Sequence, residues 1–291
     1  MSNFSPSPGQ LLREAIEAGP IQVPGAPMAL MGKLIEDMGF SAMYVSGAAF
    51  SAGIVGMPDI GLFTLTELVQ QVRYLTAQII TPVIVDADTG FGDTANVERT
   101  IHELENAGAA AIQLEDQELP KRCGHLSGKS LVTTDAMCAK LRAAADARND
   151  EATVIIARTD ARGVDDFAAA VNRARRYIEA GADWIFPEAL ANRDEFAAFA
   201  EAVDAPLMAN MTEFGKSPLL TFAELGEMGY RVVLYPVTLL RVAMKAAETA
   251  LSILAADGTQ RELLDLMQTR QELYDLLDYN SYEQRDREYF E

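Results

Sequence analysis

The run Lys121-Arg122-Cys123-Gly124-His125 sets one thiol among three ionisable nitrogen side chains. Positive neighbours stabilise a thiolate, so Cys123 reads as a reactive thiol acid, with Lys121 and His125 as its assistants. Upstream, Pro82-Val83-Ile84-Val85-Asp86-Ala87-Asp88 ends an apolar run in carboxylates. Where the backbone leaves a sheet, Asp86 and Asp88 can converge on one site, joined by Glu115 from the next strand end. Such hard oxygen ligands suit Mg²⁺, with Mn²⁺ as the alternative. A thiol acid and a carboxylate-held cation together point to metal-assisted chemistry on an anionic substrate. Cys138, beside Met137 and Leu141, reads as packing, and His102 as a solvated helix residue.

Arg158, Arg241 and Arg270 are candidates for gripping substrate carboxylates through two parallel hydrogen bonds. Ser46-Gly47-Ala48 carries little side-chain bulk and could present backbone N–H groups to a carboxylate. The stretch Gln117–Leu131, with glycines at 124 and 128, is long for a connection between strand and helix. It reads as a lid that excludes water.

These residues need a scaffold, and a repeat supplies one. An amphipathic helix, a glycine and a short apolar strand recur around Gly39, Gly108, Gly181 and Gly229. Their strands are Ala42–Ser46, Ala111–Glu115, Trp184–Glu188 and Val232–Pro236. Ile21–Pro24, Val83–Asp86, Thr153–Arg158 and Pro206–Asn210 fit as the others. Thr64 with Glu67, Asn192 with Glu195, and Thr221 with Glu224 have the spacing of reciprocal helix caps. Leu65, Leu68, Val72 and Leu75 share a helical face, as do Phe167, Val171, Ala174 and Ile178. Near-continuous apolar strands alternating with such helices predict a parallel sheet covered by helices and closed into an α/β (β/α)8 TIM-type barrel. An open doubly wound sheet is the rival, weakened because no Gly-x-Gly-x-x-Gly turn follows the first strand.

A barrel puts function at the C-terminal strand ends. In order these offer Ser46, Asp86 with Asp88, Glu115, Arg158, Glu188, Asn210 and Tyr235. Leu240, Met244, Ala247, Leu251 and Leu254 mark the eighth helix. The expected organisation is a single barrel domain over 1–291, with 258–291 as a C-terminal helical extension. Leucines between Gly258 and Tyr279 need an apolar surface, either the same barrel or a neighbouring subunit.

At 291 residues and 49% hydrophobic content the chain can bury a large core. A formal net charge of −19 argues against nucleic acid or an anionic membrane as partner. Two cysteines make no disulfide framework, so a reducing cytoplasm is the expected location. Met1–Gly19 shows no secretory leader pattern, and no apolar run approaches the length of a membrane span.

The motif around Cys123, with Val85–Gly92, Ala157–Ala161, Phe186–Ala189, Ala209–Gly215 and Met267–Tyr274, resembles the isocitrate lyase and phosphoenolpyruvate mutase superfamily. The whole set is most similar to its 2-methylisocitrate lyase branch. The resemblance implies Mg²⁺-dependent cleavage of the small tricarboxylate (2S,3R)-2-methylisocitrate into pyruvate and succinate, within the 2-methylcitrate cycle of propionate breakdown. Isocitrate lyase, dimethylmalate lyase and oxaloacetate decarboxylase are the related alternatives. By resemblance, Asp86 and Asp88 hold the metal, and Ser46, Gly47, Ala48 and Arg158 hold the pyruvate moiety. Gly124, Glu188, Asn210, Met211, Thr212, Arg241 and Arg270 bind the succinate end. Cys123 protonates the carbanion, and Tyr44, assisted by Arg158, is the preferred base. Ala48 stands where the family often has glycine. The resemblance also implies a homotetramer whose C-terminal helices are exchanged between paired barrels.

Overall fold

Eight short parallel strands lie side by side around a closed ring in the computed structural model, which describes residues 5–126 and 128–290. The start of the Met1–Gly19 segment and Ser127 of the Gln117–Leu131 loop lie outside the described residues. In order the elements are α1 (Pro8–Ala18), β1 (Ile21–Pro24), α2 (Ala29–Asp37), β2 (Met43–Val45) and α3 (Gly47–Phe50). After a π-helical turn, Ser51–Val55, come α4 (Leu65–Thr76), β3 (Val83–Asp86), α5 (Thr94–Asn106), β4 (Ala111–Glu115) and α6 (Thr134–Ala147). Next are β5 (Val154–Thr159), α7 (Ala161–Val164), α8 (Phe167–Glu179), β6 (Trp184–Pro187), α9 (Arg193–Ala202) and β7 (Met208–Asn210). The chain ends with α10 (Phe222–Glu227), β8 (Val232–Tyr235), α11 (Thr238–Asp257), a 3₁₀ turn Arg261–Leu266, α12 (Arg270–Leu276) and α13 (Tyr279–Glu288).

Ladders run β2-β3-β4-β5-β6 and β7-β8-β1. Parallel bridges Ile185↔Leu207 and Gly25↔Tyr44 join the two ladders, closing the barrel that the alternation of strands and helices predicts. Side chains alternate across each strand, so the core divides in two. Inward residues such as Val23, Tyr44, Ile84, Ile156, Trp184 and Met208 fill the barrel, and Leu12 and Ile16 of α1 plug its base. Outward residues such as Val45, Val85, Ile112, Leu114, Ile155 and Val233 pack beneath the helices, meeting Leu68, Val72 and Leu75 of α4. Gly108 and Gly181 close their helices at φ +91° and +106°, a region where a Cβ is penalised.

Two of the three expected reciprocal caps form, Thr64 with Glu67 and Thr221 with Glu224. Asn192 does accept the Glu195 N–H at 2.9 Å. The Glu195 carboxylate, however, turns to Arg162 at 2.7 and 2.9 Å, a charge-assisted pair that outcompetes the cap. The expected eighth helix forms as α11 and contains all five marked residues. It buries none of its residues, and Met244 and Leu251 are exposed. The expected C-terminal helical extension is present after Gly258, as three short helical pieces. Among the described residues no helix is long and apolar enough to cross a membrane.

Candidate active site

The inward-facing residues change character at the C-terminal ends of the strands. Ile84 gives way to Asp86, Ile156 to Arg158, Phe186 to Glu188, and Met208 to Asn210, each two residues on. On β4 the change comes earlier, with Gln113 and Glu115 both buried. Parallel pairing brings Asp86 opposite Gln113 and Glu115 opposite Arg158. One cleft at this end is lined by Tyr44, Ser46, Ala48 and Asp86 on one side, and by Arg158, Glu188, Asn210 and Thr212 on the other. Lys121, Cys123, Gly124 and His125 descend onto it from the loop after β4, and Arg241 stands at its rim.

Asp86 is pinned by the Gly47 N–H at 3.1 Å, the Asp88 N–H at 3.2 Å and the Gln113 amide at 3.0 Å. Asp88 lies past the strand end with φ +48°, which turns its carboxyl back toward its neighbour. A Cβ on Gly47 would meet Asp88 Oδ1 at 2.9 Å and Asp86 Oδ2 at 3.1 Å, so both carboxylates crowd the same glycine. The Lys121 ammonium lies 2.7 Å from Asp88 and also binds Asp59. Burial, opposed by Lys121 and reinforced by Asp86 and Asp59, still pushes the Asp88 carboxyl up to about 7. Burial likewise raises Glu115 well above the usual carboxylate range against the pull of Arg158 and Lys121, and its Oε1 is buried without a hydrogen bond. Positive charge is what such a cluster accepts most readily. Among the described residues no three acidic, histidine or cysteine side chains form a ready-made metal cage. The oxygen donors that are present, the adjacent Asp86 and Asp88 carboxylates and the unpaired Glu115 Oε1, fit Mg²⁺, which takes few protein ligands and keeps several waters.

Arg158 joins this cluster to the opposite wall. Its Nε and Nη2 lie 3.0 and 3.2 Å from the two oxygens of Asp160, and Nη2 is 3.4 Å from Glu188. Its guanidinium stacks over Phe186 at 5.3 Å from the ring centre. Burial would raise Glu188, but Arg158, His125 and Lys129 outweigh it and hold the carboxyl down at about 2. Asn210 donates to Glu188 at 3.3 and 3.4 Å, leaving its own buried Oδ1 without a partner. That acceptor is available to a bound molecule.

Several expectations need correction. Lys121 and His125 do not stand as bare positive neighbours of Cys123. Lys121 is committed to Asp59 and Asp88, while His125 Nδ1 accepts the Lys216 N–H at 2.9 Å and Nε2 lies 2.8 Å from Glu188. Charge pairing has consumed what the sequence presents as a cationic patch. Tyr44, the expected base, donates its hydroxyl to Gln113 at 2.6 Å. Burial, then Asp86, raises its pKa well above the ordinary phenol value, although Arg158 acts the other way. In this geometry Tyr44 keeps its proton. Met211 is buried in the core with its sulfur against the Leu220 N–H and its own N–H on the Leu234 carbonyl at 2.8 Å, so only its carbonyl is left for a ligand. Tyr235 is not in the cleft: its hydroxyl accepts from Gln22, and Leu234 faces inward instead. Arg270 opens the exposed helix α12 and does not line the cleft of its own chain.

Sequence reasoning missed Asp59, Gln113, Lys129 and Asp160. Gln113 had a signal, since it lies two residues before Glu115 on the same face of an apolar strand. Asp59 sits in an irregular loop, where no periodicity could announce it.

The model of the phosphoenolpyruvate phosphomutase family matches residues 14–255. The chain belongs to this family. Its relatives include the 2-methylisocitrate lyase of Aeropyrum pernix, 54% identical over 97% of this chain and 91% of that protein. The Salmonella typhimurium 2-methylisocitrate lyase is 42% identical over 96% and 95% of the two chains. Among solved structures of the family, 2,3-dimethylmalate lyase aligns with a TM-score of 0.92 at 34% identity, over 98% of this chain and 96% of that one. Phosphonopyruvate hydrolase, solved with oxalate and Mg²⁺, aligns with a TM-score of 0.88 at 28% identity, over 98% and 100% of the two chains. Family membership agrees with the barrel and with the position of the cleft at its C-terminal end.

Proposed function

We propose that this enzyme is a carbon–carbon lyase that cleaves (2S,3R)-2-methylisocitrate to pyruvate and succinate, the step that serves propionate breakdown in the cytoplasm. The observation that carries the reading is identity of 54% to a 2-methylisocitrate lyase along nearly the whole chain, with the thiol, carboxylates and Arg158 gathered in one cleft.

The pyruvate half of the substrate would lie on Ser46, Gly47 and Ala48, with Arg158 closing on its carboxylate. The succinate half would meet Asn210, Thr212, Gly124 and Arg241, with Glu188 as acceptor and the Met211 backbone beside it. Loss of the substrate hydroxyl proton turns that C–O bond into a carbonyl as the neighbouring C–C bond breaks. The released electron pair remains on the succinate carbon, where the Cys123 S–H supplies the proton. Tyr44, assisted by Arg158, is our assignment for the base, acting as the phenolate, so its own proton leaves before cleavage. Asp86 and Asp88, with Glu115 beside them, would hold Mg²⁺. When bound, that ion would supply positive charge, which would favour a phenolate at Tyr44 and stabilise negative charge on the pyruvate oxygens. Phe186 and Leu234 supply apolar wall for the extra methyl group.

A panel of methylisocitrate, isocitrate, dimethylmalate and oxaloacetate, each with and without EDTA, tests this reading. One methyl group in an apolar pocket is worth about 1–3 kcal/mol, so slow isocitrate cleavage is compatible with it. A higher kcat/KM for isocitrate or dimethylmalate overturns the substrate.

We further propose a homotetramer in which the segment after Gly258 packs on a neighbouring barrel and brings Arg270 to that subunit's substrate. The exposed Val242, Met244, Leu251, Leu264 and Leu266 support it as an apolar surface larger than a lone subunit would carry. A chain truncated after Asp257 that stayed tetrameric and fully active in sedimentation and turnover assays would refute the role of the tail.

A further inference from the structure

Beyond helping to keep Glu188 ionised, Lys129 has no part in the chemistry above, yet it is among the least accessible cations of the cleft region. Its ammonium is 2.6 Å from Asp160 Oδ1 and donates to the Gly124 carbonyl oxygen. The two side chains of this ion pair are 1% and 0% exposed. Burying a lysine costs several kcal/mol unless its charge and hydrogen bonds are answered, so this one is held by a specific geometry. Asp160 answers two cations at once, since Arg158 binds the same carboxylate at 3.0 and 3.2 Å.

Asp160 is itself immobilised. Its N–H donates to Asp116 Oδ1 at 2.9 Å. The other oxygen of Asp116 receives the Thr159 and Tyr177 hydroxyls, each at 2.8 Å, so the fully buried Asp116 ties the site to α8. A continuous set of contacts thus runs from α8 through Asp116, Asp160 and Lys129 to the Gly124 carbonyl. Gly124 needs that restraint, because its Cα packs so tightly on Arg158 and Glu188 that a Cβ would overlap both.

We infer that Lys129 is a positioning residue that fastens the Gly124–His125 peptide, one residue past the thiol, to the carboxylate that also orients Arg158. The thiol on one wall and the guanidinium on the other then share a single anchor, and their separation is fixed by it. Cutting the Lys129 link frees the loop while leaving Asp160 paired with Arg158, so the barrel stays folded and substrate still meets Arg158. Turnover should therefore suffer more than binding.

The turnover half of the test rests on the proposed lyase reaction; the labelling half does not. Lys129→Met removes the charge and both hydrogen bonds at similar length. Lys129→Gln, which keeps a hydrogen-bonding end, serves as the second variant should the first fold poorly. The expected result is a kcat lowered roughly 10- to 100-fold, the scale of a misplaced reacting group, with KM changed much less. In parallel, alkylation by iodoacetamide is followed peptide by peptide. Cys123 should label faster in the variant, while Cys138, buried on α6 against the Arg176 carbonyl, keeps its wild-type rate as an internal control. Unchanged kcat with unchanged Cys123 labelling overturns the inference, and so does equal acceleration at both cysteines, which marks general loosening. If the wild-type protein does not cleave methylisocitrate but the selective Cys123 response appears, the lyase reading falls and the anchoring role stands.

Discussion

Gly47→Ala should separate the metal-binding geometry from the stability of the barrel. Gly47 opens α3 and lies outside the left-handed region, so its backbone accepts alanine. Loss of unfolded-chain freedom then favours the variant by about 0.4–1 kcal/mol. Against this, the new Cβ would lie 2.9 Å from Asp88 Oδ1 and 3.1 Å from Asp86 Oδ2. Neither oxygen can retreat freely. Asp86 is held by two backbone N–H groups and Gln113, and Asp88 by Lys121. Overpacking of this kind costs about 1–3 kcal/mol, so the net effect on folding runs from near zero to about 2.6 kcal/mol destabilising. For a chain of this size that lowers Tm by no more than about 10 °C. The same 1–3 kcal/mol, taken from the cation's site, weakens Mg²⁺ binding by about 5- to 150-fold. Thermal unfolding with and without Mg²⁺ measures both, since a ligand of the folded state raises Tm according to its affinity. A variant with the wild-type Mg²⁺-induced shift and the wild-type half-saturating Mg²⁺ concentration in turnover would refute the convergence of the two carboxylates on one ion.

Cys123→Ser should lower turnover by at least about 100-fold through loss of a positioned proton donor, with unchanged unfolding, and near wild-type turnover would remove Cys123 from that role. Asp86→Ala should abolish the Mg²⁺-induced rise in Tm and any EDTA-sensitive activity. It should also cost about 1–3 kcal/mol, because three hydrogen-bond donors lose their acceptor. Glu188 sets an acid dependence: its carboxyl falls from the usual 4.5 to about 2 on folding. Its stabilisation is therefore complete above the unfolded value and is lost as pH drops from 4.5 toward 2. The urea midpoint of wild type should decline more steeply than that of Glu188→Gln between about pH 5 and pH 3, and parallel declines would show that the depressed carboxyl is not a source of stability.

The barrel was legible because strand, turn and helix each leave a periodic trace. Apolar runs such as Val83–Val85 record burial on both faces, and the glycines at 108 and 181 record left-handed helix ends. The site was legible where it continues those strands: Asp86, Glu115, Arg158, Glu188 and Asn210 are the next residues of the inward-facing series. It became illegible in the loops. Nothing in the order Lys121-Arg122-Cys123 reveals that Lys121 turns down to Asp59 and Asp88, since that pairing depends on two loops meeting in space. Likewise, the spacing that gave Asn192 a cap partner in Glu195 could not show Arg162 competing for the same carboxylate.

The pairing pattern reconciles an acidic protein with an anionic substrate. Asp59, Asp86, Asp88, Glu115, Asp160 and Glu188 gather around Lys121, Lys129 and Arg158, so carboxylates outnumber these buried cations two to one. An excess of that kind repels a tricarboxylate and, by itself, would argue against the proposed substrate. It also explains why Asp88 and Glu115 hold protons more tightly than ordinary carboxyls: mutual repulsion adds to burial. The divalent cation proposed on the Asp86–Asp88 side would relieve that excess. Arg158, meanwhile, is already oriented by Asp160, and Arg241 stands at the rim. Most of the net charge of −19 then lies outside this cluster, and the sign of the field that a substrate meets is set locally, inside the ring of strand ends.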